Sequence, residues 1–411
     1  MSESPGITPS PVVSEAYVVD PYPIIARLRA EDPIHFVPIM PGFSFWLATR
    51  YDDVRQLFTD PNVTNDPRAY ENYVAPPAGT YMRWASDNGL FSLPPEEHAR
   101  VRRLVSAAFT PRAVARMDDQ VLDVVEQFAA PLRGRTGVVD MMSEFTDPIP
   151  NAVISRIVGV PPKGGEEVRF RELAQNTIRG FFAFADPEAK KQGEAAFTEL
   201  AEWVRKLADE RRHSPREDLI SDLVRAKDEG RAMNDDEIVT LVTGLIGAGS
   251  ETTAIGGLVS LVTLLEHPDA MARLRADRSA IPAAVNEILR FAFGGGGGLP
   301  RYAIRDFELR GKQIKKGQLI MLSFTGAHRD PSVFPDPDRF DIDRDNSALT
   351  IFGHGPHYCI GVHLARSEMR ATIDAALDLL PVGARHRDDL VEWQRLGSFR
   401  RPLNCPVDFG G

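Results

Sequence analysis

Cysteine is almost missing from this chain of 411 residues, which holds only Cys359 and Cys405. Two distant thiols exclude a disulfide framework and point to a reducing compartment. Positive charge is also short. Forty-eight Lys and Arg against 58 Asp and Glu leave a net charge of −10, which argues against nonspecific nucleic-acid binding. The N-terminus lacks a basic segment followed by an apolar one, and no unbroken run of about 18 apolar residues follows it. The expectation is a cytoplasmic protein without a membrane anchor. No internal repeat and no Gly/Ser-rich linker divides the chain. What is present is an ordinary globular balance, 43% hydrophobic and 26% charged, enough for one large helical domain around a cofactor.

Residues 1–15 are polar and proline-rich and read as a disordered tail, leaving 16–411 as a single domain. A helix is predicted over 23–30. Strands are predicted over 34–38 and 43–48 about a turn at Pro41-Gly42, and a further helix over 51–59. Residues 60–93 read as loop. Helical patterns dominate from Pro94 onward, and short strands return at 308–309, 319–322 and near the C-terminus. The class is mainly α with a small β region.

The densest chemistry lies in Phe352-Gly353-His354-Gly355-Pro356-His357-Tyr358-Cys359-Ile360-Gly361, just before a helix starting near Val362. Backbone N–H groups of a glycine-rich loop entering a helix favour a thiolate. Such a thiolate suits a soft metal. His354, His357, Cys359 and His363 match zinc by ligand type, but not by the usual ligand spacing. The competing reading is a haem iron held by one cysteine. Phe352, Gly355, His357, Cys359 and Gly361 resemble the cysteine-ligand loop of the cytochromes P450, F-x-x-G-x-[HR]-x-C-x-G. The resemblance implies the cytochrome P450 fold enclosing haem b, with Cys359 as the metal ligand.

A second segment supports it. Asn234 and Glu237 form a capping-box pattern. A long apolar helix follows, with Gly244, Gly247, Gly249, Gly256 and Gly257 in it. Each internal glycine costs roughly 1 kcal/mol against alanine, so tight helix packing or close approach to a flat cofactor is expected. Glu251 and Thr252 sit inside this small-residue run, where a carboxylate and a hydroxyl are costly to bury without a task. The Thr252 hydroxyl is expected to bond the Ala248 carbonyl. Ala248, Gly249, Glu251, Thr252 and Thr253 resemble the family's oxygen-activation motif, [AG]-G-x-[DE]-T-[TS]. The resemblance implies that Glu251 and Thr252 relay protons and that Ala248 borders the cofactor.

Further matches are structural and cofactor-binding. Glu287 and Arg290 resemble the family's E-x-x-R pair, and Arg339, in Pro337-Asp338-Arg339-Phe340, its third member. His98 and Arg102, at i and i+4 on one helix face, resemble the family's propionate clamp, with Arg301 and His357 completing the set. Arg100, Arg103, Arg112 and Arg370 are expected to form a basic patch for an acidic redox partner. Phe182, Leu245, Ala248, Gly294, Gly295 and Phe399 are placed in the substrate pocket by the resemblance, with the glycine run 294–298 read as a widened wall or as a turn.

The expectation is a monomeric monooxygenase that inserts one atom of O2 into a bulky apolar substrate such as a steroid, terpenoid, fatty acid or macrolide. Electrons would come from ferredoxin and ferredoxin reductase, or from a flavodoxin. The alternatives are a peroxide-dependent haem oxygenase and a non-enzymatic haem- or zinc-binding protein.

Overall fold

The computed structural model describes residues 10–40, 42–160, 165–182, 187–228, 230–293, 298–396 and 399–410. Gly294 and Gly295 lie outside these residues, as do the side chains of Phe182 and Phe399. The chain divides into two compact units. One comprises Met1–Val74, Asn286–Tyr358 and Val391–Leu403, the other Ala75–Val285, Cys359–Leu390 and Asn404–Gly411.

The first unit is built on a five-stranded sheet of β1 (Ile34–Met40), β2 (Phe43–Ala48), β3 (Val63–Thr64), β4 (Gly298–Ala303) and β5 (Leu319–Ser323), in the order β1-β2-β5-β4-β3. The β1–β2 hairpin pairs Ile34 with Ala48 and Val37 with Phe45. Gly42 supplies the positive φ of 81° at its turn. β5 runs parallel to β2 and antiparallel to β4, which sets Ile320 opposite Arg301. One face buries Ile34, Val54, Leu57, Ile320, Leu322 and Phe334.

The expected tail is shorter than the sequence suggested. Pro11–Val13 forms a 3-10 turn and Glu15–Val19 a helix, each capped by a serine. Val12 and Tyr17 are buried with Ile25 and Leu47. Two apolar anchors outweigh the polar composition around them.

The second unit is helical. Its main elements are α1 (Pro95–Ser106), α2 (Asp118–Ala129), α3 (Pro148–Val158), α4 (Glu166–Phe182), α5 (Pro187–His213), α6 (Asp235–Glu266) and α7 (Val362–Leu379). The capping box forms as expected. The Asn234 side chain accepts from the Glu237 N–H at 2.8 Å, and the Glu237 carboxylate accepts from the Asn234 N–H at 2.9 Å. As expected, α6 is a long apolar helix; by length and composition it could cross a membrane, although Glu251 and several Gly, Ser and Thr residues interrupt its apolar run. It packs against α3, α5 and α7 and buries half of that apolar window, as a core helix does. The loop-rich stretch 60–93 also holds a helix, Tyr81–Asn88, capped by Thr80.

Candidate functional site

The glycines of α6 divide into two groups. A methyl at Gly256 would sit 3.1 Å from the Met369 sulfur, and one at Gly257 3.4 Å from Thr146. These two glycines serve helix packing. At Gly244, Gly247 and Gly249 an added methyl meets nothing within 4 Å. Gly244, Ala248 and Thr252, spaced four apart, form an exposed stripe on the same turns. Leu245 and Glu251 flank it half-buried. The Thr252 hydroxyl donates to the Ala248 carbonyl at 2.6 Å, as anticipated. That bond occupies the hydroxyl proton and leaves the oxygen lone pairs free to accept.

In the same unit Cys359 precedes α7, whose N-cap Gly361 has no side chain to cap with. The Gly361 N–H donates to the Cys359 sulfur, and the Arg102 guanidinium adds a favourable field. Burial nevertheless outweighs both and pushes the thiol up from its ordinary value. The loop donor favours the thiolate as expected, but desolvation is the larger effect, and a cationic metal would offset it. Burial holds Arg102 below its usual range, with the Cys359 charge opposing. His98 is buried, and burial followed by Arg102 lowers its pKa. Cys405 is buried, and burial first and Asp140 next push its thiol up to about 12, which leaves it inert.

The first unit contains a buried cation. Arg301 is 4% exposed, donates to the Pro300 carbonyl at 2.8 Å and stands 5.1 Å over the Phe58 ring. Among the described residues no carboxylate pairs with it. Burial lowers its pKa to about 10. A buried guanidinium without a carboxylate fits an anionic ligand group such as a propionate. His357 is half-buried in a 3-10 turn, Gly355–His357, which starts at a positive-φ glycine, Gly355, and follows another, Gly353. Gly298 ends the glycine run for a packing reason, since a side chain there would run into the Leu322 carbonyl oxygen.

The E-x-x-R pair is wholly buried and bidentate, with Arg290 Nε and Nη2 each 2.8 Å from a Glu287 oxygen. Arg290 also donates to the carbonyls of His328 (2.9 Å), Pro337 (2.8 Å) and Arg339 (3.2 Å). The assignment of Arg339 as third member is corrected. Its side chain is 66% exposed and pairs with Asp341. The guanidinium that reaches Glu287 belongs to Arg344, at 3.3 Å, and it also binds the carbonyls of Pro335, Asp336 and Arg339. Glu287 further accepts from the Asp341 N–H and the Asn346 amide. This network fixes the 335–346 loop, including Asp336 at φ 48°.

Two buried groups went unnoticed in the sequence. Glu368 on α7 is 4% exposed, and burial pushes its carboxyl up to about 8. His328 accepts from the Thr350 N–H at 3.2 Å and lies 3.0 Å from its hydroxyl. Arg100 is not a surface charge: it is buried between Glu97 and Glu237. Among the described residues no three His, Cys, Asp or Glu side chains group as metal ligands, so His354, His357, Cys359 and His363 do not form a zinc site.

Within the second unit, a cysteine at a helix start and an open glycine face bearing an acid and an alcohol are features that a haem-thiolate oxygenase requires. The comparisons agree. The cytochrome P450 family model matches residues 69–389. The cytochrome P450 monooxygenase PikC of Streptomyces venezuelae is 34% identical over 92% of this chain and 88% of its own length. The epothilone C/D epoxidase of Sorangium cellulosum is 35% identical over 89% of this chain and 87% of its own. The solved structure of an epothilone D-bound P450 superposes with a TM-score of 0.85 at 30% identity, over 99% of this chain and all of the other. The chain belongs to the cytochrome P450 family. It has the family's fold, its haem b cofactor and its monooxygenase activity, driven by electrons from redox partners.

Proposed function

We propose that Cys359 ligates the haem iron, that His98, Arg102, Arg301 and His357 hold its propionates, and that Glu251 and Thr252 pass protons along α6 beside Ala248. Residues 16–411 act as one haem-binding domain in this reading. The observation that carries it is the open stripe Gly244–Ala248–Thr252, with the threonine bonded to the alanine carbonyl. When bound, haem supplies the centre at which O2 is activated. The overall balance is RH + O2 + 2e− + 2H+ giving ROH + H2O, so two protons must reach the oxygen. Cys359, whose protonated form burial favours, gives up its own proton on ligation. Thr252, with its hydrogen held by Ala248, accepts from Glu251 or a water and passes the proton on by rotating.

A reduced-CO spectrum tests the assignment. The red-shifted band of a haem-thiolate should vanish in Cys359→Ser and persist in Cys405→Ser, and the opposite pattern would overturn it. For the relay, Thr252→Ala should keep haem and electron uptake while the product formed per NAD(P)H falls several-fold and peroxide rises. Unchanged coupling excludes the hydroxyl from the relay, and full turnover on peroxide alone favours the peroxide-dependent alternative.

The substrate is a bulky apolar molecule of the macrolide or polyketide kind. Relatives are named for oxidising epothilones C/D and mycinamicin IV, and the small side chains on the α6 stripe leave room for a large ligand. Leu245 lies beside that stripe. Phe182, Gly294, Gly295 and Phe399 are kept as wall residues on the resemblance alone.

The protein acts as a cytoplasmic monomer, served by ferredoxin and its reductase or by a flavodoxin. Arg103, Arg112 and Arg370 are exposed on neighbouring helices, a basic patch in an acidic protein. Charge reversal at Arg103 and Arg112 should slow the first electron transfer about tenfold at low salt, with substrate affinity unchanged. Indifference of stopped-flow reduction to both reversals and to salt would place docking elsewhere.

A further inference from the structure

Arg100 was expected on a docking face, yet its side chain is only 7% exposed. Its Nε donates to Glu97 at 3.0 Å, and its Nη2 donates to Glu237. Arg231, from a short hairpin before α6, donates to the other oxygen of Glu97 at 2.8 Å. Glu237 already closes the capping box of α6. One carboxylate thus joins two helices: Oε2 receives the backbone of the first turn of α6, and Oε1 receives a guanidinium from α1. Burial opposes the Arg100 charge, but the two carboxylates more than offset it and raise its pKa.

The position of Arg100 on α1 gives this link a consequence. His98 and Arg102 are four apart and share a face. Arg100, two residues from each, lies about 200° around the helix from both. One side of α1 is thus tied to α6, and the other carries the guanidinium whose field acts on Cys359.

We infer that Arg100 is a positioning residue: through Glu237 it fixes α1 against the first turn of α6 and so sets how closely Arg102 approaches the Cys359 sulfur. This rests on Cys359 being the iron ligand. A buried guanidinium that bridges two carboxylates holds direction as well as distance, which lysine cannot match.

The test uses the haem-loaded protein and two substitutions of opposite charge. Arg100→Met removes a positive charge, and Glu237→Gln removes a negative one while keeping an oxygen for the Asn234 N–H. If the two side chains acted only as charges, their effects on the haem midpoint potential would have opposite signs. If they act as a link, each loosens Arg102 from Cys359. Positive charge near the thiolate then falls in both, and both potentials shift in the negative direction. The double variant should equal the single ones rather than sum them. Haem transfer to apomyoglobin should quicken about tenfold in each. Arg100→Lys should recover only part of the shift. Opposite signs, additive shifts, or wild-type potentials in folded variants would overturn the inference. Should Arg100→Met fail to fold, Glu237→Gln and Arg100→Lys still decide it by the sign of their shifts. Failure of the haem-thiolate reading is separate, because the wild-type protein would then lack the red-shifted CO band.

Discussion

Arg344→Ala should unlock the loop that leads to the cysteine, whereas Arg339→Ala should leave it nearly intact. Glu287 is fully buried, and the Arg344 side chain is 9% exposed. Removing Arg344 takes one cation from a buried carboxylate and frees the carbonyls of Pro335, Asp336 and Arg339 together. Breaking a buried ion pair from one side costs about 3–5 kcal/mol. Arg290 still neutralises Glu287, so the lower end of that range applies. Glu287→Gln, which deprives both guanidiniums, should reach the upper end. Arg339 gives the network only its backbone carbonyl, and alanine keeps that atom, so about 0–1 kcal/mol is expected. Denaturant unfolding and haem content of the three variants measure this order. Arg339→Ala as damaging as Arg344→Ala would restore the assignment by motif.

Acid should weaken the same region through His328. This ring is fully buried, and burial first and Arg290 second lower its pKa to about 3 from an ordinary 6.5. Its Nε2 accepts the Thr350 N–H, so a proton on that nitrogen would face another hydrogen. The folded protein therefore excludes a proton that the unfolded chain binds below pH 6.5. Stability is fully present above that value and is lost as pH falls, by about 2 kcal/mol at pH 5 and about 4–5 kcal/mol below pH 3. Glu368 acts with the opposite sign. Its carboxyl is raised from 4.5 to about 8, so its contribution is present below 4.5 and is lost as pH rises through 8. His328→Gln should flatten the acid limb of an unfolding free-energy profile, and Glu368→Gln the alkaline limb. An acid limb unchanged in His328→Gln would show that other groups govern it.

What the sequence disclosed follows the range of the interactions involved. The Asn234–Glu237 box and the Thr252–Ala248 bond span three and four residues, and helical geometry alone implies them. The β1–β2 hairpin is equally local. The Glu287–Arg344 contact crosses 57 residues, and no periodicity links its ends. The motif led to Arg339 because it marks a loop by its residue types, and which arginine turns inward depends on how that loop folds. Arg100 was misplaced for the same reason: charge was visible in the sequence, and burial was not. The ordering of Pro11–Val13 had a trace in Val12 and Val13, but a polar, proline-rich setting concealed it.

The three open glycines of α6 set two demands against each other on one helix. Glycine costs roughly 1 kcal/mol per internal position, so Gly244, Gly247 and Gly249 together forgo about 3 kcal/mol that alanine would return. Packing gives nothing back, because their missing methyls would touch no neighbour. Selection for thermal robustness alone would fill these positions, and selection for a large substrate or a nearby cofactor would empty them. With this face beside the substrate, as proposed, laboratory evolution toward smaller substrates has a direct route here, one that gains stability as it narrows the space. Evolution toward larger ones has nothing left to remove at these three positions, and must find its room at others.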